Sequence, residues 1–417
     1  MESSVDKCMD LMSTLIHNQS IVNTTLLTAR QAADRLGIKL DTLYAYVSRG
    51  RLRSVMVPGT RERRYRGEDV DALLDARSGA RPSHSTDPEA LMPVIGSSIC
   101  LIENGRFFYR GQDAVRLSET ATLEDIMKLL WLDEAGAELA GTGGRRRSSS
   151  ATPDSGLIER CQIRLAALAD EDLPALDPTR SRVTRTGQLI LRELAACVAQ
   201  IVPSPDPIHR RLAAAWRLGE AGADLVRRCL VLIADHELNP STFVVRCVAS
   251  TGATPYAVIA AALSALSGRL HGGETERAEG LLRELLEGED PMAIMAGRLA
   301  RGERLPGFGQ PLYPEGDPRA TTILDALAHA APEVHALADK AAEAGLRLIG
   351  RHPNVDFALA VAAIGLGLPR GGALGMFIIG RTVGWIAHAI EQSESGILIR
   401  PRARYLGPRP EEIPEST

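Results

Sequence analysis

Apolar residues recur at helical spacing through most of this chain. Ala/Leu-rich stretches at 210–234, 241–251, 254–268, 321–350 and 356–366 are each predicted as a helix. TLEDIMKLLWL (122–132) adds another, with Thr122 and Asp125 in capping-box spacing at its start. Strand character is concentrated earlier, where Ser97–Glu103 and Arg106–Arg110 flank Asn104-Gly105, a two-residue hairpin signal. Three stretches lack apolar periodicity. Residues 1–25 read as a tail, 78–90 as a linker around GARPSHSTDPEA, and 141–156 (GTGGRRRSSSATPDSG) as an exposed loop. The pattern predicts a mainly helical protein with one large α domain.

Composition changes that picture in three ways. A chain of 417 residues exceeds what one core usually supports, so two or more domains are expected. With 45% hydrophobic and 24% charged residues it is too apolar for a disordered protein. The net charge of -4 excludes a wholly basic nucleic-acid coat, yet 26–77 carries eleven Lys/Arg against seven Asp/Glu, a local +4 that leaves the rest at -8. No apolar run approaches the ~18–20 residues of a membrane span, and the N-terminus lacks signal-peptide character. Six cysteines without CxxC or metal-ligand spacing point to reduced thiols in a cytoplasmic protein.

The basic segment reads as a helix-turn-helix. In LTARQAADRLGIKLDTLYAYVSRGRL (27–52), Thr28 caps a first helix with Ala29, Ala32, Ala33 and Leu36 inward, Gly37 turns, and Ile38 packs inward. Asp41 caps a second helix, Thr42–Arg49, stopped by Gly50. VPGTRERRYRGEDVDALL follows as a turn-tipped wing and a third helix. The segment resembles the MerR/excisionase-type winged helix-turn-helix. That resemblance implies duplex DNA as partner, with Thr42, Tyr44, Ala45 and Tyr46 facing the major groove and Arg61, Arg63, Arg64 and Arg66 reaching phosphates.

Downstream, unusual polar groups punctuate apolar helices. ADHELNPSTF carries Asp235, His236 and Glu237 ahead of a helix that Ser241 caps, and LHGGETE places His271 before two glycines. LPGFGQPLYPEGDPRA contains Gln310 and ends with Arg319; PNVDF puts Asp356 in the first turn of an apolar helix. GRTVGWIAH and RPRARYLG carry Arg381, His388, Arg400, Arg402 and Arg404. In this order and spacing the segments resemble the citrate synthase family, from about Gly96 to Gly407, beginning with Gly105 and Tyr109–Gly111 in the hairpin.

The resemblance implies a two-domain helical fold, with a large domain at about 91–271 and 373–417 and a small domain at about 272–372. It implies a homodimer, no cofactor beyond acetyl-CoA as substrate, and oxaloacetate as the second substrate. Removing a proton from the acetyl methyl group needs a carboxylate base and a donor for the developing enolate. Asp356 is the candidate base, and His271, at a helix start that favours neutral imidazole, the candidate donor. Bidentate arginines suit the two carboxylates of oxaloacetate. The resemblance assigns these to Arg319 and Arg381, with Arg400 reaching across the dimer and His236 adding a hydrogen bond.

Two departures stand out. The family's second catalytic histidine, in PGFGHP, is Gln310 here, a donor that delivers no proton. The common HGGANE reads HGGETE. Three functions follow: a citrate synthase slowed at Gln310, a DNA-binding regulator that uses an impaired citrate synthase fold as a metabolite sensor, or a 2-methylcitrate synthase. No membrane partner is expected.

Overall fold

The computed structural model describes residues 26–36, 38, 40–48, 52, 54–56, 63–66 and 70 of an N-terminal unit, Met1–Val94, and residues 95–132, 155–288, 290–401, 405 and 407 of a second unit, Ile95–Thr417. The N-terminal unit runs β1 (Leu26–Leu27), α1 (Ala29–Leu36), α2 (Leu40–Ser48), β2 (Ser54–Met56) and β3 (Arg63–Arg66). β3 pairs antiparallel with both other strands, with Leu27 opposite Tyr65 and Val55 opposite Arg64. Thr28 caps α1 as predicted: its Oγ1 accepts from the Gln31 N–H at 3.2 Å while Gln31 Oε1 accepts the Thr28 N–H at 2.9 Å. The inward face of α1, with Leu43, Leu52, Tyr65 and Val70, makes a small core, and Ile38 packs against it. Asp41 is not a cap. α2 starts one residue before it, at Leu40. The β2–β3 pair forms the predicted wing. Arg61, the tail 1–25, the linker 78–90 and all of the third helix beyond Val70 lie outside the described residues.

The second unit opens with the expected hairpin, β4 (Cys100–Glu103) and β5 (Arg106–Tyr109), to which β6 (Gln112–Asp113) is added. Asn104 and Gly105 both take positive φ, 51° and 72°, as a type I′ turn requires. Helices follow: α3 (Ala114–Thr120), α4 (Leu123–Trp131), α5 (Leu157–Glu171), α6 (Arg180–Ala199), α7 (Ile208–Ala215), α8 (Glu220–Leu232), α9 (Pro240–Ala249) and α10 (Pro255–Leu266). Then come α11 (Gly273–Glu287), α12 (Pro291–Ala300), α13 (Pro318–Ala330), α14 (Pro332–Ile349), α15 (Val355–Gly365) and α16 (Gly372–Ser395). The architecture is all-α. The Thr122–Asp125 capping box on α4 is present, whereas residues 141–154 of the expected exposed loop are not described.

Two predicted helices are each two. The 210–234 stretch breaks because Arg217 enters the left-handed region (φ 56°) and the Leu218 N–H closes back on the Ala213 carbonyl at 2.8 Å. The 321–350 stretch breaks at Pro332, which has no N–H to continue α13 and starts α14 instead. A third correction is the cap of α9. Asn239 accepts the Thr242 N–H at 2.9 Å, with Pro240 in the first turn, so Ser241 is released for other work.

α16 organises the core. By length and composition it is apolar enough to cross a membrane, but its apolar window is wholly enclosed by protein, packed by α4, α6, α8, α9, α10 and α15. Burying each large apolar side chain there contributes roughly 1.5–3 kcal/mol. Trp131 of α4 is fully buried and satisfies its indole N–H on the Val383 carbonyl at 2.8 Å, pinning α4 to α16.

Candidate active site

One cavity of about 720 Å³ gathers the chemistry-bearing motifs, lined among others by His236, His271, Gln310, Arg319, Asp356 and Arg381. Their backbones are brought together by close approach. Gly384 lies where a Cβ would meet the Ala234 carbonyl at 2.3 Å and Asp235 Oδ1 at 2.4 Å, so α16 reaches the 233–237 turn only with glycine there. On the facing wall, Gly307 and Gly309 adopt φ 83° and 85°, and a Cβ on Gly307 would strike Phe357 at 2.9 Å. The glycine loop is clasped to 352–354: the Gly309 N–H donates to the His352 carbonyl at 2.8 Å and the Asn354 N–H to that of Gly307 at 2.9 Å. Asn354 also caps α15 through Asp356 and Phe357 N–H groups. One clasp thus fixes Gln310 and Asp356 on the same wall.

Two buried guanidiniums supply positive charge. Arg319 is held by Asp317 in a fork, Nε to Oδ1 at 2.9 Å and Nη2 to Oδ2 at 2.7 Å. Burial opposes its charge, but Asp317 outweighs that and its pKa is raised. Arg381 is less well satisfied. Its Nε donates to the Ile233 carbonyl at 2.8 Å and its guanidinium sits 5.0 Å from the Phe377 ring centroid, while Nη1 has no partner among the described residues. Burial lowers its pKa, with Asp235 pulling the other way. A desolvated donor of this kind invites an anion.

His236 and His271 both have lowered proton affinity. Burial, then Arg319 and Arg381, drive the His236 pKa well below its ordinary value, and its Nε2 meets the Tyr313 hydroxyl at 2.9 Å. For His271, burial and the nearby Arg381 lower the pKa to about 4. The helix start is not the cause the structure gives: α11 begins two residues later, at Gly273. His271 Nε2 lies 2.8 Å from Ser241 Oγ, which also receives the Trp385 indole N–H at 3.2 Å. Ser241 Oγ also donates to Asn239 Oδ1 at 2.9 Å, and with that single hydroxyl proton engaged the imidazole N–H lies on Nε2.

Asp356 faces the same space. Burial raises its pKa to about 6, against the lowering effects of the Thr275 hydroxyl and Arg319. Gln310 lines the cavity, its Oε1 turned toward the Leu312 N–H by a long contact of 3.5 Å. A carboxylate of raised pKa opposite neutral hydrogen-bond donors and two guanidiniums is equipped to take a proton α to a carbonyl and to hold a polycarboxylate. Arg400, by contrast, is exposed and does not line this cavity.

Sequence reasoning overlooked Asp317, Tyr313, Thr275 and the bonding role of Ser241. Asp317 was legible in principle, since Asp-Pro-Arg at a helix start caps the helix and presents the arginine. The other contacts join distant segments. In the N-terminal unit, Tyr44 is 51% exposed, Thr42 and Arg64 are half-buried, Arg63 is exposed, and Tyr46 packs partly against the core.

Comparison with known proteins yields two family matches: a citrate synthase C-terminal domain at residues 90–402 and a helix-turn-helix domain at 26–78. The chain is 41% identical over 195 residues to the putative citrate synthase 2 of Mycobacterium tuberculosis, covering 45% of this chain and about half, 52%, of that relative. It is 30% identical over 343 residues to the citrate/2-methylcitrate synthase of Bacillus subtilis, covering 74% and 92%. Among solved structures, the citrate synthase of Thermoplasma acidophilum in ternary complex with carboxymethyl coenzyme A and oxaloacetate superimposes with a TM-score of 0.67 at 25% identity, covering 76% of this chain and 95% of that one.

Proposed function

The chain belongs to the citrate synthase family, and from that premise we propose that it condenses acetyl-CoA with oxaloacetate to give citrate and CoA, in the cytoplasm and without a cofactor. The observation that carries this reading is the convergence of Asp356, His271 and the partner-deficient Arg381 on one cavity. Asp356 takes a methyl proton from the acyl-CoA. His271 is the donor that stabilises the enolate as charge develops, its proton on Nδ1 once the Ser241 hydroxyl turns from Asn239 to Nε2. Arg381 and Arg319 bind the carboxylates of oxaloacetate, His236 adds a hydrogen bond, and the Gln310 amide meets the ketone oxygen that the enolate carbon attacks. The resulting alkoxide takes its proton from water, since Gln310 has none to give, and hydrolysis of the citryl-CoA thioester then breaks the C–S bond to release citrate and CoA. The test is CoA release by the purified protein from acetyl-CoA plus oxaloacetate; none at any pH would sink the reading.

Propionyl-CoA, which would give 2-methylcitrate, belongs in the same assay because a Bacillus subtilis relative carries both activities in its name. A catalytically idle sensor gains no support over catalysis, since Asp356 and His271 both line the cavity.

The segment 272–372 is proposed to close on 91–271 and 373–417 as a small domain over a large one. The exposed Arg400 fits a homodimer in which it completes the neighbouring site. Mixing Arg400→Ala with Asp356→Ala chains is then expected to regenerate up to a quarter of wild-type activity, because one cleft in the heterodimer carries both lesions and the other neither. No recovery after confirmed subunit exchange would place Arg400 in its own chain's business.

The N-terminal module is proposed to bind duplex DNA, supported by its helix-turn-helix match and the exposed Tyr44 and Arg63. Neutralising Arg63 and Arg64 together is expected to lower the log–log salt slope of binding by roughly two. A slope unchanged in fluorescence anisotropy titrations would remove these arginines from the phosphate contacts.

A further inference from the structure

The two positions at which HGGETE departs from HGGANE, Glu274 and Thr275, both sit beside Asp356. Thr275 is 1% exposed and lies in the first turn of α11, against which α15 packs. Its hydroxyl donates to Asp356 Oδ1 at a short 2.5 Å, and no other side chain among the described residues hydrogen-bonds that carboxylate. Glu274 lines the cavity, accepts the Gly307 N–H at 3.2 Å and pairs with Arg277.

We propose, on the reading of Asp356 as the base, that Thr275 is its positioning residue: the hydroxyl anchors Oδ1 and thereby presents Oδ2 to the acyl substrate. A carboxylate in the first turn of a helix has free rotation about χ2 unless one oxygen is tethered. A tether at Oδ1 fixes the plane of the group, so the lone pairs of Oδ2 point into the cavity. A hydroxyl suits this task because it donates one hydrogen bond and adds no charge. An arginine or lysine there would hold the carboxylate ionised and weaken it as a base.

The surrounding charges give the tether a measurable signature. Burial raises the proton affinity of Asp356; Thr275 from α11 and Arg319 from α13 lower it; Glu274 from α11 and Asp317 at the start of α13 raise it. Removing the Thr275 hydroxyl therefore pushes the Asp356 midpoint up, by roughly one pH unit for a hydrogen bond to a charged acceptor. Neutralising Glu274 pushes it down, by about a few tenths because Arg277 already offsets part of its charge.

The experiment titrates the Asp356 carboxyl by carbon NMR in full-length protein labelled at aspartate Cγ, with Asp356→Asn identifying its resonance. The acid limb of kcat is recorded in parallel. Thr275→Val should raise the midpoint, Thr275→Ser should restore it, and Glu274→Gln should lower it. A midpoint that moves in this pattern without CoA release would uphold the tether and overturn the catalytic reading. Normal CoA release with a midpoint indifferent to Thr275→Val and Thr275→Ser would do the reverse. Should Thr275→Val not fold, Thr275→Ala, which removes the same hydroxyl with less bulk, takes its place: a midpoint there equal to that of Thr275→Ser overturns the proposal.

Discussion

Replacing Asp356 by asparagine is expected to lower CoA release by on the order of 10⁴ while making the protein more stable at pH 8. The first effect follows from removing the base while keeping an oxygen that accepts the Thr275 hydroxyl, so the site keeps its shape. The second follows from the sign of the pKa shift. Burial raises the Asp356 pKa from its ordinary 3.8 to about 6, so the folded chain binds this proton more tightly than the unfolded chain. Stability from this group is then complete at pH below about 4 and is lost as the pH rises through 6. At pH 8 the ionised carboxylate costs about 2–3 kcal/mol, which asparagine does not incur. Thermal unfolding at pH 8 should show the variant melting a few degrees higher, and at pH 4 the two proteins should converge. In wild type the same titration sets an acid limb of activity near pH 6, while His271, with a pKa of about 4, stays neutral throughout that range. Near-normal turnover in the variant, or lower stability than wild type at pH 8, would remove Asp356 from the role of buried base.

The core was legible because α9, α10 and α15 are apolar enough for periodicity to mark them; their caps, Asn239, Thr254 and Asn354, came only with the structure. Periodicity failed where two helices share one apolar pattern across a sharp turn. Nothing in the spacing of 210–234 announces that Arg217 turns left-handed. Motif wording located His271, Asp356 and the arginines, but not what holds them. Tyr313 reaches His236 across 77 positions and Thr275 reaches Asp356 across 81; only the packing of α11 on α15 and the clasp of 305–309 on 352–354 creates those contacts.

The two arginines also differ in a way no motif shows. Arg319 arrives with its countercharge, Asp317, which also accepts the Val355 N–H at 3.1 Å and so ties the arginine to the helix that carries Asp356. Arg381 Nη1 has no partner among the described residues, and Asp235, fully buried, acts on the guanidinium only at a distance. An incoming carboxylate therefore gains most at Arg381, where it replaces a missing partner, and less at Arg319, whose fork is already engaged.

Gln310→Leu is expected to lower kcat by roughly 10²–10³, the loss of one donor aimed at a developing oxyanion, about 3–4 kcal/mol. On the proposed reading Gln310 is that donor: it lines the cavity, with its Oε1 3.5 Å from the Leu312 nitrogen. The leucine side chain fills a similar volume and leaves the ketone oxygen of oxaloacetate unpartnered as charge builds on it. Gln310→His is expected to do the opposite. A neutral imidazole restores the hydrogen bond and brings a proton that can move to the alkoxide, so turnover should at least equal wild type and rise by up to about 10² if protonation limits the rate. The ordering, histidine above glutamine above leucine, is what CoA-release kinetics must show. If the chain only binds its ligands, all three proteins release no CoA, yet oxaloacetate still raises the melting temperature through Arg381. Equal and substantial turnover in all three would put position 310 away from the reacting ketone, because a donor amide, a proton-bearing ring and an alkyl group cannot stabilise the same oxyanion alike.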